Sequence, residues 1–316
     1  MISITIKPRK RARAVRKVLS AALFRKSREA YTITGTEGVI MHGRHLEGKT
    51  AWITGSSRGL GQAIALQLAG AGANVVIHGS TMDSSSYFKE GASLAGVAES
   101  IARETGVKAL CVSGDLRQAD AVRDMVKKIR AEFGHIDILV NNAGGDTGSM
   151  GAAGKNAGKI VEGNDALFLP HDEVRTILDR NLMTCINVCK EVVPAMLDKK
   201  AGWVVNIGSI AGMAGLVGAA IYATAKAAVH EYTRCLAALA RPYGVHVNCV
   251  APGDTLSERF KASRPLEDKR MDQASLERYG WPAEIARTVE FLVSEGGSYI
   301  TGQIIRVDGG LQMWAG

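Results

Sequence analysis

Tyr222 and Lys226 stand four residues apart in the segment IYATAKAAVH, which covers residues 221–230. Its alanines predict a helix, and residues four apart on a helix lie on one face, within reach of each other. An ammonium group beside a phenol favours the ionised form of the phenol, so the pair is suited to general acid or base chemistry. A surface tyrosine and lysine among small residues would have the same spacing, so the pair alone does not decide.

Two further polar residues suit the same chemistry. Ser209 follows the apolar run WVVNIG and precedes Tyr222 by thirteen residues, and its hydroxyl could hold an oxygen on which charge develops. Asn181, in DRNL, is a poor helix former inside a segment predicted to be helical from 172 to 197. A turn serine and a solvent-facing asparagine are the structural alternatives.

A glycine-rich segment, TGSSRGLG at 54–61, lies between a predicted strand and a predicted helix. Its glycines permit a tight turn and a close approach of the backbone to a ligand, and the helix N-terminus favours a pyrophosphate. No Gly-Lys-Ser/Thr sequence closes the segment, so it is not a Walker loop. A turn required only for packing is the alternative, but the strand before and the helix after favour a phosphate loop.

The rest of the chain from Lys49 alternates apolar strands with helices, which predicts an α/β fold. Continuous apolar strands indicate a parallel sheet that is covered on both faces. We therefore predict a single-domain, Rossmann-type doubly wound parallel sheet at 47–316 and a separate basic extension at 1–46. The predicted strands are 50–54, 74–78, 136–140, 203–207, 246–250 and 304–307, and the predicted helices are 61–71, 119–133, 172–197 and the one that carries Tyr222.

Several motifs occur in the order that is typical of one family. With them the chain resembles the classical short-chain dehydrogenase/reductases, in particular members that act as 3-oxoacyl-acyl-carrier-protein reductases, over roughly residues 47–311. The matching segments are TGSSRGLG at 54–61, GDL at 114–116, NNAG at 141–144, DRNL with Asn181, NIGS at 206–209, the Tyr222/Lys226 pair, NCVAPG at 248–253 and YITGQIIRVDGG at 299–310.

The resemblance implies a role for each matching position. It makes Tyr222 the general acid/base, Lys226 its activator and a ligand of the nicotinamide ribose, Ser209 the holder of the substrate oxygen and Asn181 the support of a proton path. Besides Tyr222 and Lys226, the cofactor-binding residues that we predict are Gly55, Ser57, Arg58, Gly59, Leu60, Gly61, Ser80, Thr81, Asp115, Leu116, Asn142, Ala143, Gly144, Pro252, Gly253, Thr255 and Ser257.

The end of the second strand bears on the choice of nicotinamide cofactor. In sites of this kind an acidic residue there binds the ribose 2′-hydroxyl of NAD, whereas this strand ends in His78-Gly79-Ser80-Thr81. Arg58 could pair with a 2′-phosphate, and Ser80 and Thr81 could donate hydrogen bonds to it. The sequence predicts NADP, with NAD as a possible substitute.

Charge and composition narrow the possible partners. Ten of the 39 basic residues and two of the 31 acidic residues lie in residues 1–40, which leaves 29 of each elsewhere. The neutral body predicts no nucleic-acid binding, and no apolar run is long enough for a membrane span. The seven histidines form no H-E-x-x-H motif, which predicts no metal site. The five cysteines form no C-x-x-C, which is typical of free thiols in a reducing compartment.

The basic extension has several interpretations. It is amphipathic and poor in acids, which is typical of an organelle transit peptide or a membrane-surface helix. It could also be a solvated tail, or Met41 could be the start of the protein. We expect a cytoplasmic protein, with organelle targeting through residues 1–40 as the alternative, and the resemblance implies a homotetramer or homodimer.

Two insertions and a lid are expected near the ligands. Segments 82–91 and 145–166 are longer than the family pattern, and 254–278 is predicted to form a substrate lid. Ligands bind at the carboxyl ends of the strands in doubly wound sheets, so the second insertion should border the substrate. Its polar residues would suit a hydroxylated or anionic substrate, and a flexible surface loop is the alternative.

These observations predict an enzyme that interconverts a ketone and a secondary alcohol with NADPH or NADP. The expected substrate is a 3-oxoacyl thioester or a sugar- or polyol-like carbonyl compound. A dinucleotide-binding regulatory or scaffold protein without turnover is the alternative from another class. A sugar-nucleotide epimerase can share the tyrosine and lysine, but it would carry G-x-x-G-x-x-G and a larger C-terminal region.

Overall fold

The computed structural model describes residues 43–83, 93–145, 165–263, 265–271 and 275–313. The basic extension and most of the insertions predicted at 82–91 and 145–166 lie outside the described residues. Residues from Arg44 onward group into one compact unit, and the boundary predicted at 46 stays a prediction.

A seven-stranded sheet in the order β3-β2-β1-β4-β5-β6-β7 forms the centre of this unit, and every neighbouring pair of strands is parallel. This confirms the predicted fold class. The third strand is an addition to the strands predicted from the pattern. The strands are β1 Thr50–Ile53, β2 Asn74–Gly79, β3 Ala109–Ser113, β4 Ile138–Asn141, β5 Gly202–Ile207, β6 Val245–Pro252 and β7 Ile304–Val307.

Helices cover both faces of the sheet. Alternate residues of a strand point to opposite faces, and in β1 Ile53 packs with one hydrophobic cluster while Trp52 packs with the other. The first cluster includes residues of α1, α2 and α8, and the second includes residues of α3, α5 and α6. The helices are α1 Gly59–Gly70, α2 Leu94–Thr105, α3 Ala119–Phe133, α4 His171–Leu178, α5 Thr184–Lys199, α6 Ala220–Ala240, α7 Glu258–Ser263 and α8 Pro282–Leu292.

The helix predicted from 172 to 197 is not continuous. A π-helical turn, Asp179–Met183, separates α4 from α5, and the N–H of Thr184 donates to the carbonyl of Asp179, five residues back. Inside this turn the Asn181 amide donates to the carbonyl of Ile177 at 2.9 Å. Such side-chain bonds compete with the regular helical pattern, and single π-turns are frequent at functional sites.

The strand order fixes where a ligand can bind. The first three strands extend the sheet in one direction, from β1 through β2 to β3. After β3 the chain returns to the middle of the sheet, and β4 pairs with the other side of β1. In doubly wound sheets the crevice at the carboxyl ends of such strands is the binding position. The segments that follow β1, β4, β5 and β6 hold most of the predicted site residues.

Candidate active site

The Lys226 side chain is buried between α6 and the end of β5. It is 4% exposed, and its Nζ donates to the carbonyl oxygen of Ile207, at the end of β5, at 2.8 Å. The same Nζ lies 5.7 Å from the ring centroid of Tyr222, whose side chain is half-buried. A buried ammonium needs a hydrogen-bond acceptor, so the bond to Ile207 fixes this group one helical turn from the phenol.

Asn181 ties its π-turn to the loop that follows β4. Its side chain is 2% exposed; Oδ1 accepts from the N–H of Gly145 at 2.8 Å, and Nδ2 donates to the carbonyl of Gly145 at 3.1 Å. A Cβ on Gly144 would lie 2.6 Å from Asn181 Oδ1 and 3.5 Å from Lys226 Nζ. The glycine therefore lets the loop pass against both side chains, which brings Asn181 and Lys226 to the same place.

Ser209 follows β5 and precedes a 3₁₀ turn at Ile210–Met213. Its Oγ accepts from the N–H of Ala211 at 3.1 Å, and its own N–H donates to His230 Nε2 at 3.4 Å. Burial, followed by the charge of Lys226, lowers the pKa of His230 to about 4. The imidazole is therefore neutral at pH 7 and accepts the Ser209 N–H.

The phosphate loop has the backbone shape that a diphosphate requires. Gly55 and Gly59 have φ of +63° and +55°, values that other residues rarely adopt. A Cβ on Gly61 would overlap the carbonyl oxygen of Gly55 and lie 2.9 Å from Ser56 Cα. No side chain caps the N-terminus of α1, where Arg58 is the N-cap residue. The loop and helix therefore fit a dinucleotide diphosphate bound by backbone N–H groups.

The segment NNAG is braced against this loop. Thr54 Oγ1 accepts from the N–H groups of Asn142 and Ala143 at 3.0 and 3.1 Å. The Asn142 amide donates to the carbonyls of Thr54 and Gly55 at 3.0 and 2.9 Å. These four bonds join the ends of β1 and β4, the two strands between which the crevice opens.

His78, near the end of β2, accepts a hydrogen bond from the phosphate loop. Its Nδ1 accepts from the N–H of Gly55 at 3.0 Å, and its Nε2 lies 3.1 Å from the carbonyl oxygen of Gly114. The ring is 3% exposed, and burial lowers its pKa to about 4. A neutral imidazole with the proton on Nε2 satisfies both bonds.

Four of the predicted cofactor-binding residues lie at the ends of β2 and β3. Ser80 and Thr81 are exposed. Asp115 is half-buried, and hydrogen bonds from Arg117, the shortest 2.6 Å, lower the pKa of its carboxyl. The side chain of Leu116 is 3% exposed and packs in the core, which leaves its backbone as the part that can approach a ligand.

The segment after β6 brings a further group of predicted residues to the crevice. Gly253 donates its N–H to Val307 at 3.0 Å, and Thr255 Oγ1 donates to the carbonyl of Gly253 at 3.0 Å. Ser257 Oγ accepts from the N–H of Phe260 at 3.2 Å, and a Cβ on Gly59 would lie 3.6 Å from Ser257 Cβ. The start of α7 is therefore next to the phosphate loop.

Three residues of the site are absent from the sequence prediction. His78 and His230 support the phosphate loop and Ser209, and Arg259 of α7 donates to the carbonyl of Gly144 at 2.8 Å. His230 follows Tyr222 and Lys226 at the same four-residue interval, so helix spacing could have indicated it. Arg259 lies 115 residues from Gly144, and no local pattern indicates that contact.

Fold and site together define a class of protein. The chain matches the short chain dehydrogenase family over residues 49–268 and belongs to that family. It is therefore an oxidoreductase of a family that uses an NAD(P) dinucleotide cofactor, and the glycine-rich loop before α1 fits such a ligand.

Individual relatives span almost the whole of the described chain. A 3-oxoacyl-acyl-carrier-protein reductase of Staphylococcus epidermidis is 35% identical over 266 residues, which is 84% of this chain and 99% of that protein. A cyclohexanol dehydrogenase of Rhodococcus sp. is 39% identical over 273 residues, 84% of this chain and 97% of that protein. The crystal structure of a proposed gluconate dehydrogenase from Agrobacterium tumefaciens has a TM-score of 0.70 and 28% identity, covering 85% of this chain and 97% of that chain.

Among the described residues no helix has the length and apolarity to cross a membrane. In the same part of the chain no three His, Cys, Asp or Glu side chains are grouped as metal ligands would be.

Proposed function

We propose that this enzyme reduces a ketone to a secondary alcohol with NADPH, and catalyses the reverse oxidation with NADP, with Tyr222 as the general acid/base. The observation that carries the proposal is the buried Lys226 ammonium, fixed by Ile207 beside the Tyr222 ring. Asn181 and Ser209 lie around the same crevice. Lys226 could also bind the nicotinamide ribose, and it is its position beside the phenol that supports a role in proton transfer.

Each side chain has one task in the proposed reaction. The nicotinamide supplies the hydride when it is bound. Ser209 Oγ holds the substrate oxygen through a hydrogen bond that strengthens as negative charge develops there. Tyr222 donates its hydroxyl proton to that oxygen, and Lys226 stabilises the phenolate that is left.

Asn181 acts through the loop and not on the substrate. Its two-way pairing with Gly145 holds Gly144 against Lys226. We propose that this pairing keeps Lys226 in place while a proton is returned to Tyr222. The Asn181 side chain is satisfied by backbone partners, which supports a positioning role.

NADP is the cofactor that we propose in preference to NAD. The described end of β2 has no carboxylate at Gly79, Ser80 or Thr81, and such a group would repel a 2′-phosphate. Arg58 stands at the start of α1 on the same side. A guanidinium binds phosphate through charged hydrogen bonds, so Arg58 is the proposed ligand of the 2′-phosphate.

Two substrate classes are suggested by the names of the relatives. The reductase from Staphylococcus epidermidis acts on 3-oxoacyl thioesters by its name, and the structural neighbour is a proposed gluconate dehydrogenase. We propose a 3-oxoacyl thioester or a sugar- or polyol-like carbonyl compound for this enzyme.

The proposal is tested by following NADPH absorbance with 3-oxoacyl thioesters, keto sugars and simple ketones, and by repeating each assay with NADH. We expect turnover with at least one class and a higher kcat/KM with NADPH. Turnover that is faster with NADH across the panel would contradict the NADP assignment. Dinucleotide binding without turnover of any ketone or alcohol would favour the non-catalytic alternative.

A further inference from the structure

Arg259 brings a positive charge close to the reacting centre. It projects from α7, and its Nη1 donates to the carbonyl of Gly144 at 2.8 Å. A Cβ on Gly145, whose φ is +131°, would overlap the guanidinium atoms Nη1, Nη2 and Cζ. Any side chain at position 145 would therefore collide with the Arg259 guanidinium, which contacts the glycine backbone directly.

The backbone of Gly144 and Gly145, which Arg259 contacts, also lies against Asn181 and Lys226. A Cβ on Gly144 would lie 3.5 Å from Lys226 Nζ, and Asn181 holds Gly145 through two hydrogen bonds. The Arg259 guanidinium and the Lys226 ammonium are thus separated by little more than one glycine. Arg259 and the proposed acid/base pair therefore contact the same short segment, Gly144–Gly145.

A second guanidinium lies near the first. Arg180 precedes Asn181 in the π-turn and is half-buried. Burial, then the charges of Arg259 and Arg117, lowers the pKa of Arg180, and the carboxylates of Glu173 and Asp115 raise it. Two like charges held together at a cleft create a positive potential that attracts an anion.

An ion pair and two contacts with the Tyr279 ring stabilise the segment around Arg259. Arg270 pairs with Asp254 at 2.7 Å and lies 4.1 Å above the Tyr279 ring, and Phe260 packs edge-on against that ring at 5.5 Å between centroids. Tyr279 is 2% exposed. The lid is therefore built around a buried aromatic ring, so Arg259 is presented from a defined position.

We propose that Arg259, supported by Arg180, binds an anionic group of the substrate, a carboxylate or a phosphate carried on the same molecule as the reacting ketone. This inference rests on the proposed function and names its substrate class. A guanidinium has five N–H donors in a planar fork, so it can hold the Gly144 carbonyl and receive an oxyanion at the same time. Arg259 is then the residue that selects charged ketones over neutral ones.

The experiment compares three ketones with NADPH: ethyl acetoacetate, which is neutral, dihydroxyacetone phosphate, which carries a phosphate close to its ketone, and 5-keto-gluconate, which carries a carboxylate. Wild type, Arg259→Ala and Arg259→Lys are assayed. Lys261→Ala is the matched control, since Lys261 is exposed on the same helix and pairs with Glu258. KM for NADPH is measured in every variant.

We expect Arg259→Ala to raise KM for a charged ketone about 10-fold or more, the effect of losing one charged hydrogen-bond pair. The kcat/KM of ethyl acetoacetate should change by less than about 3-fold, because no charge is bound there. Arg259→Lys should retain part of the affinity, and Lys261→Ala should resemble wild type. An effect confined to dihydroxyacetone phosphate identifies phosphate as the anion, and one confined to 5-keto-gluconate identifies carboxylate.

Equal losses for neutral and charged ketones would overturn the proposal, because they would indicate a structural role for Arg259. A rise in KM for NADPH with no change for the ketones would overturn it too and would place the anion on the cofactor. If wild type reduces none of the ketones, the proposed function itself has failed. Reduction of ethyl acetoacetate with no discrimination by Arg259 leaves the proposed function intact and refutes only this inference.

Discussion

At the scale of single residues, the site depends on which groups are charged and which are neutral. Lys226 is buried yet bonded to a carbonyl, while His78 and His230 have pKa values lowered to about 4. The two neutral imidazoles accept N–H groups of the phosphate loop and of Ser209. Protons on these rings would therefore oppose the folded arrangement of both the cofactor site and the catalytic site.

Stability should fall in acid because of His78. Its pKa in the folded state, about 4, is lower than the value near 6.5 of an unfolded chain, so the unfolded state binds the extra proton. The stabilisation is complete above about pH 6.5 and is lost as the pH falls towards 4, and the loss between pH 7 and pH 5 is about 2 kcal/mol. Urea unfolding at the two pH values measures it.

His78→Asn is the variant for comparison, since its amide oxygen can accept from Gly55 and does not titrate. We expect a smaller decrease in the free energy of unfolding between pH 7 and pH 5 in this variant, with the remaining decrease due partly to His230. Parallel pH profiles of wild type and variant would refute the role of His78.

The choice of cofactor is also decided by single side chains. If Arg58 binds the 2′-phosphate, Arg58→Ala should raise KM for NADPH by about 10-fold, equivalent to about 1.4 kcal/mol, and leave KM for NADH within about 2-fold. Steady-state assays with both cofactors measure the ratio. An equal rise for both would place Arg58 at the shared diphosphate instead.

At the scale of elements, the crevice is made by glycines that let loops approach one another. Gly61, at the start of α1, faces Gly55 and Asn142 with no room for a side chain. Gly61→Ala should therefore displace the loop and weaken NADPH binding about 10-fold or more. Fluorescence titration with NADPH measures the Kd.

Gly43→Ala is the control, because a Cβ at Gly43 would meet nothing within 4 Å. Both variants should fold, and only the first should lose affinity. An unchanged Kd in Gly61→Ala would contradict the assignment of this loop to the diphosphate.

A buried polar network joins β4, β5 and α6 beneath the site. Asn206 accepts from the Asn141 amide at 2.9 Å and donates to Thr233 Oγ1 at 2.9 Å. Asn206→Leu leaves a buried amide without its main partner and should lower the free energy of unfolding by about 1–3 kcal/mol. Gln118→Ala is the control, since Gln118 is exposed and makes no capping bond. Equal midpoints of thermal unfolding for the two variants would contradict the stabilising role of this network.

The sequence predicts the strands and the phosphate loop well, because the signals for them come from residues that are adjacent along the chain. Apolar strands indicate the parallel sheet, and the glycine spacing indicates the loop before α1. The π-turn at Asp179–Met183 could not be predicted, because Asn181 only lowers helix propensity and, besides Ile177, its side chain bonds to Gly145, 36 residues away. The Arg259 contact with Gly144 depends on how the lid packs across the crevice, which no spacing along the chain encodes.

At the scale of the whole molecule, charge is distributed unevenly along the sequence. The net charge of +8 comes from the first 40 residues, so the catalytic unit is neutral as a whole and its positive groups act locally. Arg58 lies at the start of α1, Arg180 in the π-turn and Arg259 against Gly144. This supports small anionic ligands in preference to nucleic acid as partners of the catalytic unit. The homo-oligomer stays a prediction.

The proposed function requires the fold to place the Tyr222 hydroxyl next to the substrate ketone, where the bound nicotinamide can also reach it. The most direct measurement is the rate of NADPH oxidation by Tyr222→Phe at saturating ketone, together with its Kd for NADPH. We predict a kcat lower by about 100-fold or more, as expected for the loss of a general acid, with the Kd for NADPH within a few-fold of wild type. A kcat equal to that of wild type would contradict the claim.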